Sequence, residues 1–92
     1  MKALRESDEL LALHVLGWIL TDEPRRERLL GLTGLSPDNL RASLEEPATL
    51  GAILQFIAAH ESDLMSCADA IGVTPEELGA SARRLSGEEG MM

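Results

Sequence analysis

Apolar positions along the chain recur at helical spacing in six short segments, separated by Gly, Pro and side chains that cap helices. The first opens on Ser7, Asp8 and Glu9, which read as an N-cap followed by acids that complement the positive end of a helix dipole. From Leu10 to Leu20 its apolar residues wrap nearly the whole cylinder, so this helix is expected at the centre of the fold. Thr21 or Asp22 caps the second segment, with Pro24 in its first turn. That helix is expected to turn Arg25, Arg26 and Arg28 outward and Leu29, Leu30 and Leu32 inward, and to stop at Gly34.

Ser36 and Pro37 start a short third helix carrying Leu40 and Leu44. Between about Pro47 and Ala59, the residues Leu50, Ile53, Leu54, Ile57 and Ala58 fall at i, i+3, i+4, i+7 and i+8, one amphipathic face. Ser62 is expected to cap a fifth helix, with Leu64, Cys67, Ala68 and Ile71 inward and Gly72 as its stop. Thr74 and Pro75 open a sixth, with Leu78, Ala82 and Leu85 buried. The pattern predicts an all-α fold, a compact bundle of five or six short helices. The helical domain is expected over 7–85, between a flexible N-terminus at 1–6 and a disordered tail at 86–92, where SGEEGMM offers nothing to bury before its two methionines.

Within this pattern one phrase occurs twice, as GLSPDNLRAS from Gly34 and GVTPEELGAS from Gly72, 38 positions apart. Each Gly follows an apolar-periodic run, where a helix commonly ends on a left-handed residue. Ser36 or Thr74 then supplies an N-cap oxygen, and Pro37 or Pro75 sits at N1. Leu35 or Val73 lies between the two helices, positioned to touch the one it leaves, at Leu30 or Ala68, and to staple the one it enters, at Leu40 or Leu78. Glu77 completes a capping box in the second copy, and Asn39 makes a weaker one in the first. The phrase therefore encodes two Gly-x-(Ser/Thr)-Pro helix corners, and every letter in it has a folding role.

Composition narrows the function classes. In 92 residues, 45% hydrophobic, there is room for one core and one domain. Aromatic residues are 2% of the chain and β-branched runs are absent, which favours helices over strands. Sixteen acids against eight Lys and Arg leave a net charge of −8, an unfavourable balance for gripping phosphates. A single cysteine excludes an intrachain disulfide. The N-terminus MKALRESDEL lacks the apolar core of a secretory signal, and Leu10–Leu20 falls well short of the roughly 20 residues needed to cross a bilayer. A cytoplasmic protein without membrane association is expected.

Candidate chemistry is sparse. His60 and Cys67, with Glu61 and Asp63 nearby, are the nearest approach to a metal site or a Cys/His pair, but lack the close paired spacing of a zinc site. Cys67 falls on the apolar stripe of the fifth helix, His14 lies inside an apolar helix as a core or boundary residue, and His60 is expected at the end of the fourth helix. No nucleophile elbow, phosphate loop or dinucleotide fingerprint occurs. No catalytic, cofactor-binding or metal-binding residue is therefore assigned. The segment 64–85 fits the apolar and glycine positions of a helix-turn-helix, yet its second helix leads with Glu76 and Glu77 where phosphates would lie. Arg25, Arg26 and Arg28 form the one cationic cluster, interleaved with Asp22, Glu23 and Glu27. It reads as a solvated, internally paired face or as a surface for an acidic partner protein.

The order of these parts resembles a family of short bacterial proteins of unknown function, DUF3572. The resemblance spans about Glu9 to Leu85 and rests on the LTGLSP phrase, the EEPATL start of the fourth helix and the closing GVTPE. It implies an all-helical domain and brings no activity, cofactor or catalytic residue. The expectation is a non-enzymatic protein-protein interaction or adaptor module. The alternatives are a DNA-binding regulator using 64–85 and a small metal protein or enzyme using His60 and Cys67. The stripe of the fourth helix fits either the domain's own core or a second copy of the chain.

Overall fold

Six helices follow one another, with no strand, over residues 2–86, which the computed structural model describes: α1 (Lys2–Leu20), α2 (Glu23–Thr33), α3 (Pro37–Ala42), α4 (Pro47–Ala58), α5 (Glu61–Ile71) and α6 (Pro75–Ser86). The tail expected at 86–92 lies, apart from Ser86, outside the described residues. No helix among the described residues is long and apolar enough to cross a membrane.

The capping signals act at three of the helix starts. The Asp22 carboxylate accepts from the Arg25 N–H at 3.1 Å, and the Ser36 hydroxyl oxygen accepts from the Asn39 N–H at 3.1 Å. At α6 the box is reciprocal: the Glu77 N–H donates to Thr74 Oγ1 at 3.1 Å while the Thr74 N–H donates to Glu77 Oε1 at 2.9 Å. Gly34 and Gly72 both adopt left-handed backbone, at φ 72° and 79°. The two corners differ in detail. Gly72 and Val73 both donate to the Ala68 carbonyl, at 2.9 and 3.0 Å. At the first corner Gly34 donates to Leu30 at 2.9 Å, but the Leu35 N–H turns to Thr33 Oγ1 at 3.3 Å, because a hydroxyl there competes for it.

Two expected caps are corrected. Ser7 lies well inside α1, which begins at Lys2: the residues before Ser7 are ordinary helix formers with nothing to stop the helix. Ser62 lies in the first turn of α5, whose N-cap is His60 in extended backbone, with no side-chain bond. Both Ser residues stand beside acids, which suit any first turn and so mark a cap only loosely.

The centre of the fold is α4 rather than α1. It packs most extensively on α6, next on α1, and also meets α5 and α2. Six of its 12 residues are buried: Leu50, Gly51, Ile53, Leu54, Phe56 and Ile57. Gly51 permits the closest approach, since a Cβ there would lie 3.1 Å from the carbonyl carbon and oxygen of Leu85. By contrast α1 buries a single stripe, Ala12, Val15, Leu16 and Ile19, and leaves Leu10, Leu13 and Leu20 at 59, 38 and 41% exposure. Short helices offer too little surface to cover all sides of α1, so its apolar residues outnumber its contacts. Leu32 is likewise corrected from inward to 71% exposed, because α2 meets the body along a narrow line through Leu29.

Candidate functional site

The three arginines of α2 do not form one free cationic patch. Arg25 lies over the Trp18 ring at 3.7 Å, pairs with Asp22 at 3.5 Å and donates to the Trp18 carbonyl at 3.4 Å, which ties α2 to the end of α1. Arg28 reaches Asp63 of α5 at 3.2 Å and lies 5.7 Å from the Phe56 ring centre. Arg26 lines a groove, and its contact with Glu23 is 3.7 Å long and exposed.

Two grooves flank α3 and share Leu40 in their linings. The larger, of about 610 Å³, runs between the end of α2 and an uncovered side of α4. Leu32 and Leu35 form one wall and Ala48, Thr49, Ala52 and Gln55 the other, over a floor of Leu40, Ile53 and Phe56. None of its lining side chains is ionisable. Small residues at Ala48 and Ala52, one helical turn apart and exposed, leave room for a backbone to come close. The smaller groove, of about 260 Å³, lies among α1, α2 and α3 and brings Arg26 and Arg41 to a wall of leucines.

His60 and Cys67 are not brought together as a site. His60 is exposed at the start of α5, its ring 6.4 Å from that of Phe56, while Cys67 is fully buried about 10 Å further along the helix axis. Burial pushes the Cys67 thiol up to about 11, against a smaller downward pull from Arg25, so the thiol stays protonated at neutral pH and is a poor nucleophile or ligand. Among the described residues no three His, Cys, Asp or Glu side chains gather as a metal would need. His14, expected in the core or at its boundary, is exposed, because it falls on the uncovered side of α1.

The helix-turn-helix-like unit has α5 and α6 across the Gly72 corner, but α6 turns Leu78, Ser81, Ala82 and Leu85 into the core. Its exposed start shows Glu76 and Glu77, an end that repels phosphate.

One polar cluster escaped the sequence reading. Asp8 is 2% exposed and receives the Ser81 hydroxyl at 2.7 Å and both Nε and Nη2 of Arg84, at 2.7 and 2.8 Å. Burial pushes the Asp8 carboxyl up, but the bonds from Arg84 and Ser81 and the Arg84 charge together outweigh it and hold the group below its ordinary value. A carboxylate so stabilised is a weak base, and Ser81 is itself 2% exposed, so the cluster is a clamp between α1 and α6 rather than a nucleophile. The signal that would have found it is positional: Asp8 lies on the Ala12, Val15, Ile19 stripe and Ser81 on that of Leu78 and Leu85.

A family model described as a protein of unknown function, DUF3572, matches residues 5–88. The chain belongs to the DUF3572 family. No curated protein and no solved structure matches it. The DUF3572 assignment covers nearly the whole chain, including both corners, both grooves and the Asp8 clamp.

Proposed function

We propose that this DUF3572 domain is a non-enzymatic protein-protein interaction module that receives an apolar helical segment in the groove between α2 and α4. The observation that carries the reading is the lining of that groove: ten residues without one ionisable group, in a chain of which 26% of residues are charged. Leu32, 71% exposed on its rim, is the most exposed large apolar side chain of the described residues. Apolar surface of this kind, with polar surroundings, marks a docking site more often than a reaction site. The groove's hydroxyls, Thr33 and Thr49, have no acid or base beside them in the lining to activate them.

A photo-crosslinking residue placed at Ala52, in cells that naturally make the protein, is expected to trap a discrete protein adduct. The same residue at Asp69, exposed on α5, should not trap it, and Leu32→Glu should abolish it. Absence of an adduct at Ala52, or the same adduct at both positions, would refute the assignment.

A further inference from the structure

We infer that the segment accepted beside α3 is acidic as well as apolar: a helical peptide with aliphatic side chains on one face and carboxylates flanking them. This rests on the reading that the uncharged groove is a docking site, and adds the chemistry of the partner.

The two grooves meet at α3. Leu40 lines both, so a segment seated in the larger groove that continues across α3 meets the smaller one. There it finds aliphatic surface from Leu16, Leu20 and Leu44, and two ionisable groups, Arg26 and Arg41, both cationic. No carboxylate lines either groove, although the chain carries sixteen acids to eight Lys and Arg.

These two arginines also differ from their neighbours in how they are held. Arg25 is stacked on Trp18, Arg28 is bonded to Asp63, and Arg84 is clamped on Asp8. Arg26 has only a long contact with a Glu23 side chain that is 72% exposed. Arg41 makes no ion pair and no side-chain hydrogen bond among the described residues. Two guanidiniums beside an apolar groove, without fixed internal partners, are complementary to a peptide that brings aliphatic side chains and carboxylates together. The apolar contacts hold such a peptide, and the arginines select it.

A preference for acids runs against the charge of the whole molecule. A protein at −8 attracts cationic peptides and repels anionic ones in general, so a preference for acids can arise only from a local site. Three synthetic helical peptides with one identical Leu/Ala face and a polar face of Glu, Gln or Lys are the probes. Titrated into the ¹⁵N-labelled full chain at low salt, the Glu peptide should shift the amides of Leu40, Arg41 and Ala52. It should bind about three- to tenfold more tightly than the Gln peptide, with the Lys peptide weakest, as two partly exposed ion pairs allow. The double variant Arg26→Glu, Arg41→Glu, which removes no buried partner, should invert that order while keeping the dispersion of a folded spectrum.

Equal or stronger binding of the Gln or Lys peptide at these amides would overturn the acidic partner and leave the apolar docking site standing. No shift at Leu40 or Ala52 with any peptide would overturn both. A Glu preference that survives in the double variant would remove Arg26 and Arg41 from the site.

Discussion

Asp8 shows how one residue can carry a signal for two different roles. Its place after Ser7 and before Glu9 has the chemistry of a helix start, yet in the fold it is a buried anchor that receives Ser81 and both prongs of the Arg84 guanidinium. Removing its charge takes the two-pronged carboxylate contact from Arg84, 29% exposed, so Asp8→Asn should cost about 1–3 kcal/mol, less than for a fully buried pair. The folded carboxyl titrates below its ordinary value of 3.8, so its stabilising contribution is present at neutral pH and is lost as pH falls through that value toward the lower folded one. Urea midpoints of wild type and Asp8→Asn should therefore stand apart at pH 7 and draw together as pH falls below 3.8. A gap that stayed constant with pH would deny Asp8 this role.

At the scale of elements, glycines report which contacts are tight. Gly17 and Gly51 both lie inside helices, where replacement by Ala favours the helix by about 0.5–1 kcal/mol. Around Gly17 nothing lies within 4 Å of an added Cβ, so Gly17→Ala should stabilise by about that amount. At Gly51 the Cβ would press on the Leu85 backbone at 3.1 Å, and a backbone cannot rotate aside as a side chain can. Gly51→Ala should therefore push α6 from α4 and lose about 1–3 kcal/mol despite the same gain in propensity. Thermal melts of the two variants, shifting in opposite directions, test this, and a stabilised Gly51→Ala would show that the α4–α6 contact yields.

For the whole molecule, α4 is the axis on which α6 and α1 pack, whereas α3 has no extensive contact with any other helix and is held chiefly by Leu40 at 5% exposure. The grooves open on both sides of this weakly held helix, so the surface available for docking and the least anchored element coincide. Amide hydrogen exchange should rank α4 as the most protected helix and α3 among the least, with α3 exchanging through local opening rather than global unfolding. Protection of α3 equal to that of α4 would show that Leu40 alone is a sufficient anchor.

What the sequence determined by itself was local. The all-helical class, the left-handed stops at Gly34 and Gly72, the Ser36 and Thr74 caps, and the stripes of α4 and α6 each depend on residues within about one or two turns of each other. The resemblance to the family was legible for the same reason, since LTGLSP, EEPATL and GVTPE are each local phrases. Only the tertiary structure decided which apolar faces are covered, because burial depends on partners distant in the chain. Leu10, Leu13 and Leu32 have the spacing of core residues and are exposed, while Asp8 has the chemistry of a surface residue and is buried against Ser81, 73 positions away. The candidate site belongs to this second kind: Leu32, Leu40 and Ala52 form one groove because α2, α3 and α4 meet there, and no periodicity along a single helix records that meeting.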